Sequence, residues 1–209
     1  MKQASKFWDR MAGHYDSMYD KKYWKAYQDT IEISRKHLSP RHTSLDIACG
    51  TGITVVELAA SVRHIAAIDI SERMIEIARK KSRDRGIENV DFAVTDIFDA
   101  RFDDTRFDVV FANNILHFFP DTERALGRIR ELLHPGGIFI SATDCLGEKR
   151  SVIAALMSFL SKLGIIPQMK RYRISELEDS ITNHSFKIIE RATVFDNPPN
   201  YVIVAKAET

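Results

Sequence analysis

Short, nearly continuous apolar runs alternate along this chain with segments whose apolar residues recur at helical spacing. In the run His64–Ile70, the stretch Ile65–Ile68 leaves no polar position for a solvated face. Strands of this kind are typical of parallel sheets that are covered on both faces. The segment that follows places Met74, Ile75 and Ala78 on one side of a helix. This alternation predicts a parallel sheet with right-handed helical crossovers.

Seven strands can be placed from the same pattern. A helix capped by Ser71 follows the second strand, and another begins near Asp121, before the turn signal His134–Gly137. Two late apolar runs flank Asn197–Asn200 and form a candidate strand pair. The predicted strands are Ser44–Ala48, His64–Ile70, Val90–Thr95, Phe107–Ala112, Ile138–Ala142, Phe186–Thr193 and Tyr201–Lys206. The order of elements therefore predicts an α/β fold.

Two segments lie outside the alternation. The chain up to about Leu38 has a helical pattern rich in aromatic residues, and Lys149–Leu163 carries a wide apolar stripe. Either segment could cover the carboxyl edge of the sheet, where ligands bind, although packing against the core is the simpler expectation for both. The stripe consists of Val152, Ile153, Leu156, Phe159, Leu160 and Leu163.

Composition narrows the class of protein. The 209 residues, 44% of them hydrophobic and 28% charged, suit one domain with its own core. A formal net charge of +1 gives no broad attraction to nucleic acid, so no nucleic-acid partner is expected. The start of the chain has no apolar signal segment, and no uncharged apolar run is long enough to span a bilayer, so we expect a cytoplasmic protein. The two cysteines and seven scattered histidines lack the spacing of disulfide frameworks or metal sites.

The segment Leu45–Gly52, which reads Leu-Asp-Ile-Ala-Cys-Gly-Thr-Gly, carries the most chemical information. An apolar strand enters a turn in which Gly50 and Gly52 permit backbone conformations that a Cβ would obstruct. The next helix starts at once, so its unpaired N–H groups and positive dipole end face the turn. Open α/β sheets hold nucleotide-like ligands in this way. A dinucleotide fingerprint would need glycine at the position of Val55, which counts against such a ligand.

Asp69 ends the second strand at the spacing of the ribose-binding carboxylate of nucleotide folds. Its carboxylate could accept hydrogen bonds from both ribose hydroxyls. The alternative is a surface aspartate at the end of the strand or a cap for the following helix. Given the preceding glycine turn, we favour the ribose role.

The string Asp46–Gly52 closely resembles motif I of the class I S-adenosylmethionine (SAM)-dependent methyltransferases, in which glycine often replaces Ala48. Phe7–Asp16 resembles the segment before the sheet in ubiquinone/menaquinone-type and other small-molecule methyltransferases, and Phe107–Phe119 matches their fourth-strand region. The resemblance covers residues 7–145 well and the rest in outline. It implies a Rossmann-like, doubly wound seven-stranded sheet with an antiparallel last strand and N-terminal helices over the cofactor edge.

Within one domain, residues 1–209, the resemblance implies three parts. Residues 1–40 would form a helical N-terminal cap, residues 41–145 the SAM-binding core, and residues 146–209 the substrate-side helices with the terminal strand pair.

The same resemblance implies roles for individual residues. Asp96 would accept a hydrogen bond from the adenine amine, and the Ile97 N–H would address the ring. Tyr15 would close over the cofactor near the incoming methyl group, and the alternative is an aromatic residue that packs between helices. Asp46 would organise the glycine loop or contact the cofactor's amino group. The implied SAM-binding residues are Tyr15, Asp46, Ala48, Cys49, Gly50, Thr51, Gly52, Asp69, Ile70, Met74, Asp96, Ile97 and Asn113.

The substrate side is less well defined. The resemblance places Asn114 and His117 beside the acceptor, and His117 and Tyr15 are the candidate catalytic residues. His117 would either shape the pocket or accept a proton. Tyr172 is a third substrate-side candidate because it lies near a basic group that could contact an anionic substrate, although most such groups are solvated surface. That group consists of Lys162, Lys170, Arg171 and Arg173.

These observations predict an enzyme that transfers a methyl group from SAM to a small organic acceptor, leaving S-adenosylhomocysteine (SAH). A non-catalytic SAM-binding protein, an NAD-dependent oxidoreductase and a methyltransferase acting on protein or nucleic acid are the alternatives. The sequence does not identify the acceptor, its attacking atom or the oligomeric state.

Overall fold

A seven-stranded mixed sheet lies at the centre of the computed structural model, which describes residues 2–18, 21–149, 156, 159–161, 164 and 166–208. The strands are β1 (Thr43–Ile47), β2 (His64–Asp69), β3 (Val90–Val94), β4 (Phe107–Asn113), β5 (Leu133–Asp144), β6 (Phe186–Asp196) and β7 (Pro199–Ala207). Their order is β3-β2-β1-β4-β5-β7-β6. Only β7 runs against the other six within this sheet, since it pairs antiparallel with both β5 and β6. The predicted Rossmann-like sheet with an antiparallel last strand is confirmed.

Helices cover both faces of this sheet. The α-helices among the described residues are α1 (Lys2–Met11), α2 (Lys21–Arg35), α3 (Ile53–Leu58), α4 (Glu72–Asp84), α5 (Thr122–Glu131) and α6 (Ile174–Thr182). Side chains of α2, α3 and α4 share one hydrophobic cluster with the sheet, and those of α5 and α6 share the other. On β4, Val109 and Phe111 enter the first cluster, whereas Val110 and Ala112 enter the second. Alternate strand residues point to opposite faces, so both faces are apolar and the fold is doubly wound.

The fifth strand begins earlier than the sequence indicates. Phe107 of β4 pairs with Leu133 of β5. Two residues later on β4, Val109 pairs with Ile138, which lies five residues further along β5. The predicted turn His134–Gly137 is therefore an irregularity within the strand, because its residues are extra ones between the pair Phe107–Leu133 and the regular pairing that begins at Val109.

Helix α6 is absent from the sequence-based prediction. Ile174, Leu177 and Ile181 have helical spacing, and both Leu177 and Ile181 are fully buried. At its start, the backbone N–H of Arg173 donates to the Glu176 carboxylate at 2.8 Å. The sequence therefore contains a helical pattern here, but the pattern is short and lies directly before the late strand pair.

The apolar stripe predicted for Lys149–Leu163 is described only in part. Val152, Ile153 and Leu163 lie outside the described residues. Leu156 and Phe159 are 55% and 58% exposed, so the expectation that they pack against the core is wrong. Neither contributes to the two hydrophobic clusters. Among the described residues, no helix has the length and apolar character needed to cross a membrane.

Candidate functional site

A cleft of about 530 Å³ lies where the carboxyl ends of β1 to β4 meet. Ala48, Gly50, Asp69, Asp96 and Asn113 all line it, although they come from four different strand ends. The position follows from the strand order, because the chain leaves β1 towards β2 and later returns to its other side as β4. Open α/β sheets bind ligands in the crevice at such a switch point. We call this cleft the first cavity.

The glycine loop after β1 has the left-handed backbone that its sequence suggested. Gly50 and Gly52 have φ angles of 55° and 78°. A Cβ on Gly52 would lie 3.1 Å from the Cβ of Ala78, so glycine here lets the start of α3 approach α4. Ala48 also has a positive φ, 55°, which costs an L-residue about 1–2 kcal/mol. This strain explains why glycine suits that position in related loops.

Asp69 connects the glycine loop to the start of α4. Its side chain is only 7% exposed, and it accepts the Gly50 N–H at 3.0 Å and the Ser71 N–H at 2.8 Å. Burial raises the pKa of this carboxyl, and the two backbone N–H groups oppose that rise. The carboxylate is thus held in a fixed orientation on the wall of the first cavity. Ser71 in turn caps α4 by accepting the Met74 N–H at 3.1 Å, as predicted.

Part of the lining of the first cavity is apolar and consists of Ile70, Met74, Ile97, Phe98 and Ile115. Asp96 lines the cavity too and accepts the Phe98 N–H at 2.8 Å, which fixes its carboxylate. Apolar side chains together with an oriented carboxylate suit a heteroaromatic ring that carries an amino group.

Asn113 lies at the centre of the site. Its amide nitrogen and oxygen are both buried, and neither has a hydrogen-bond partner among the described residues. Buried amides normally have partners, so an unpaired one at a cavity wall points to a ligand that completes its hydrogen bonds. The next residue, Asn114, has a φ of 56°, and its N–H donates to the Ala142 carbonyl at 2.7 Å.

A second cavity of about 230 Å³ adjoins the first. The two cavities share a wall of six residues: Trp8, Tyr15, Asn113, Asn114, Phe118 and Pro167. Within this wall the Trp8 ring packs edge-on against Phe118 at 5.3 Å and against Tyr15 at 6.2 Å between centroids. Two ligands bound in the two cavities would therefore meet at this wall.

His117 lines the second cavity and is only 2% exposed. Burial lowers its pKa to about 4, so the imidazole is neutral at physiological pH. Its Nδ1 atom has no hydrogen-bond partner among the described residues. A base with a pKa this low holds an abstracted proton weakly near pH 7, which favours a pocket-shaping role.

The N-terminal arm, residues 2–18, is attached to the rim of the first cavity by two aspartates. Asp9 accepts the Ser71 hydroxyl at 2.6 Å and the Arg73 N–H at 3.2 Å, at the start of α4. Asp16 accepts the Thr51 hydroxyl at 2.5 Å and pairs with Lys81 at 2.8 Å. These contacts hold Trp8 and Tyr15 over the carboxyl edge of the sheet, as expected for helices that cover it.

Four of the predicted cofactor residues do not line the first cavity: Asp46, Cys49, Thr51 and Gly52. Asp46 is buried below the loop and accepts the Thr54 hydroxyl at 3.3 Å, and burial raises its pKa to about 7. The Cys49 N–H donates to the Ile68 carbonyl at 2.9 Å. Ala48 and Gly50 are the residues of the glycine loop that line the first cavity.

Tyr172 was misplaced by the sequence-based prediction. It is fully buried in the cluster of α5 and α6 and lines neither cavity, so it is a core residue rather than a substrate contact. The Gly147 N–H donates to the Tyr172 backbone carbonyl at 2.8 Å, which attaches the backbone at Tyr172 to the chain that follows β5. Of the basic group, Lys162 lies outside the described residues, and Lys170, Arg171 and Arg173 are exposed. They are surface residues.

Sequence reasoning also missed residues of the second cavity, above all Asp144 and Asn200. Asp144 ends β5, and Asn200 faces it from β7. The rule that identified Asp69, namely a polar residue at the carboxyl end of a buried strand, would have found Asp144. Trp8 and Phe118 were missed as wall residues because aromatic side chains are more often core.

Parts of this chain are similar in sequence to known proteins. Residues 38–195 match the family described as "Methyltransferase domain". The chain is 39% identical over 93 residues to demethylmenaquinone methyltransferase of Clavibacter sepedonicus, covering 44% of this chain and 37% of the relative. It is 31% identical over 139 residues to aklanonic acid methyltransferase DauC of Streptomyces, covering 65% and 62%. It is 32% identical over 115 residues to phosphoethanolamine N-methyltransferase 2 of Caenorhabditis elegans, covering 54% and 26%. The matches thus span from about a quarter to about three fifths of these relatives.

Solved structures share the whole fold. The N-methyltransferase NodS of Bradyrhizobium japonicum, in complex with SAH, superposes with a TM-score of 0.76 at 15% identity, covering 99% of this chain and 100% of NodS. The YcgJ protein of Bacillus subtilis gives 0.69 at 15% identity, covering 87% and 99%. Because the family match covers most of the chain and includes the glycine loop, the protein belongs to the methyltransferase-domain family.

Proposed function

We propose that this protein transfers a methyl group from SAM to a small organic acceptor. The observation that carries the proposal is the pair of cavities that meet at Tyr15, Asn113 and Asn114. Family membership supports the larger cavity as the SAM site, and the smaller one is then the acceptor site.

The residues of the first cavity fit SAM. The oriented carboxylate of Asp69 would accept the ribose hydroxyls, and Asp96 would accept the adenine amine beside the apolar part of the lining. The unpaired amide of Asn113 would bind the methionyl part. When bound, SAM supplies a methyl group that its sulfonium has already made electrophilic. The chain's task is to orient the acceptor and exclude water, and orientation can lower such a barrier by about 7–11 kcal/mol.

The shared wall would set the alignment of the two ligands. Tyr15 lies between both cavities and is held there by the arm's contacts through Asp9 and Asp16. We infer that Tyr15 positions the reacting groups and that His117 shapes the acceptor cavity. An NAD-dependent oxidoreductase is not favoured, since the family match names methyl transfer and Val55 breaks the dinucleotide fingerprint.

We also predict a cytoplasmic location, the lack of a nucleic-acid partner and a division of the chain into cap, core and substrate-side parts. The small volume of the second cavity supports a compact acceptor rather than a protein or nucleic acid.

Thermal melting with separate ligands tests the proposal. A ligand that binds only the folded state at 100 times its Kd stabilises by about 2.7 kcal/mol, so SAM and SAH should each raise the Tm by several degrees. NAD at the same concentration serves as the control and should leave the Tm unchanged. A shift with NAD and none with SAM or SAH would overturn the proposal.

A further inference from the structure

The second cavity has an unusual balance of charge. Among the described residues that line it, no lysine or arginine appears, and His117 is neutral. Asp144 is the one lining carboxylate among them. A ligand entering this cavity therefore meets a potential that is negative overall.

Asp144 has little internal compensation for its charge. Asn200, which is only 8% exposed, donates its side-chain amide to Asp144 at 2.7 Å. The same amide group donates to the Asn114 side-chain oxygen at 2.8 Å, so both of its protons are used. A partly buried carboxylate with one neutral donor gains strongly from a cationic partner, because desolvation otherwise opposes its charge. Burial accordingly raises the pKa of the Asp144 carboxyl.

The remaining walls suit the body of an organic cation. Aromatic rings dominate the lining, and three methionines fill the gaps. Tyr23 is fixed in place by stacking on Phe195 at 4.3 Å between centroids. Aromatic faces attract ammonium groups, and the gain is larger where water is excluded. The lining aromatic residues are Phe7, Trp8, Tyr15, Tyr23, Tyr27 and Phe118.

Size and charge together exclude other ligands. The cavity volume of about 230 Å³ lies below the range of about 300–1,000 Å³ that drug-sized ligands occupy. A carboxylate or phosphate ligand would place a second anion beside Asp144 without a described cation to balance it. A neutral ligand would leave Asp144 uncompensated.

We propose that the second cavity binds a small organic amine as its ammonium ion, with Asp144 accepting its N–H groups and the aromatic rings covering its apolar body. This inference rests on the proposed function, because the second cavity is an acceptor site only if the first holds SAM. Asp144 also accepts one proton from the bound ammonium and becomes a carboxylic acid. The amine nitrogen is left neutral with a free lone pair, which is the form that can accept a methyl group.

The test uses calorimetric titration of the SAH-saturated full chain with matched probes. These are 2-phenylethylamine, 2-phenylethanol and phenylacetate, which share a ring and differ in charge, with n-butylamine as a smaller amine. We expect at least one amine to bind ten times more tightly than the alcohol, and phenylacetate not to bind. Asp144→Asn should weaken amine binding at least tenfold. The control Asp196→Asn, at an exposed position, should not change it.

Each outcome has one meaning. If SAH does not bind the unmodified chain, the proposed function itself fails. If SAH binds but neither amine does, or the alcohol or phenylacetate binds as tightly as the amines, the amine inference is overturned and methyl transfer stands. Unchanged amine affinity in Asp144→Asn would also overturn it. Unaltered SAH affinity in this variant checks that the fold is retained.

Discussion

At the scale of single residues, the site depends on carboxylates of one chemical type in different surroundings. Asp69 is held by two backbone N–H groups, whereas Asp144 has one side-chain amide. Among the described residues, Asp46 has one side-chain donor, the Thr54 hydroxyl at 3.3 Å, and it is buried. Burial raises the pKa of all three carboxyls, and the hydrogen-bond donors around each one oppose that rise.

Asp69→Asn tests the ribose role with little change in shape. Losing a charge-assisted hydrogen bond costs about 1.5–3 kcal/mol, so the Kd for SAH should rise roughly 10- to 150-fold in calorimetry. Alanine is a poorer choice, because it would leave both the Gly50 and Ser71 N–H groups without their acceptor, whereas asparagine keeps an oxygen for one of them. Asp91→Asn, at an exposed position on β3, is the matched control. Equal SAH affinity in both variants would rule out the ribose role.

Much of the first cavity could be predicted from single residues. Asp69, Asp96 and Asn113 all follow buried strands, and the carboxyl ends of parallel strands meet at one edge. The second cavity could not be predicted, because its walls come from Trp8, Asn200 and other residues far apart in sequence. Tyr172 shows the opposite failure: its basic neighbours are exposed while its own ring is enclosed.

At the scale of elements, the glycine loop fixes how closely α3 approaches α4. Gly52 adopts a left-handed φ of 78°, and its lack of a Cβ leaves room for Ala78 of α4. The loop therefore packs two helices together and also lines the first cavity.

Gly52→Ala should destabilise the protein by about 2–4 kcal/mol in urea unfolding, since it combines left-handed strain with overpacking. Gly13→Ala is the matched control, because no heavy atom lies within 4 Å of the added Cβ and its φ is not positive. The control should stay within about 0.5 kcal/mol of the unmodified chain. Similar losses in the two variants would contradict this account.

Element prediction succeeded where apolar periodicity was long and failed where it was short. The strands β1 to β4 begin and end within about a residue of their predicted bounds. The turn signal before β5 was misread, because glycines also accommodate irregular pairing inside a strand. Helix α6 was missed because two buried residues, Leu177 and Ile181, carry its packing.

At the scale of the whole molecule, buried titratable groups connect stability to pH. Asp46 has its pKa raised from 3.8 to about 7 by burial. The folded state thus holds a proton that the unfolded chain has released between about pH 4 and pH 7, and stability falls as the pH rises through this window. The lowered pKa of His117 acts in the opposite direction, since protonation favours the unfolded chain as the pH falls from 6.5 towards 4.

Asp46→Asn removes the loss of stability that Asp46 causes as the pH rises, and it keeps an oxygen for the Thr54 hydroxyl. Relative to the unmodified chain, the variant should gain about 2–3 kcal/mol of unfolding free energy between pH 5 and pH 8. The contribution of His117 is common to both chains and cancels. Urea unfolding at the two pH values measures this difference. A constant difference across the range would show that Asp46 ionises freely in the folded protein.

The common wall of the two cavities ties ligand preference to cofactor retention. Under the proposed function, any substitution of Trp8 or Tyr15 that enlarges the second cavity also changes the first, so a broader substrate range gained there reduces the affinity for SAM. Tyr27, Asp144 and Asn200 border the smaller cavity alone. Directed evolution towards new acceptors should therefore diversify these three positions first.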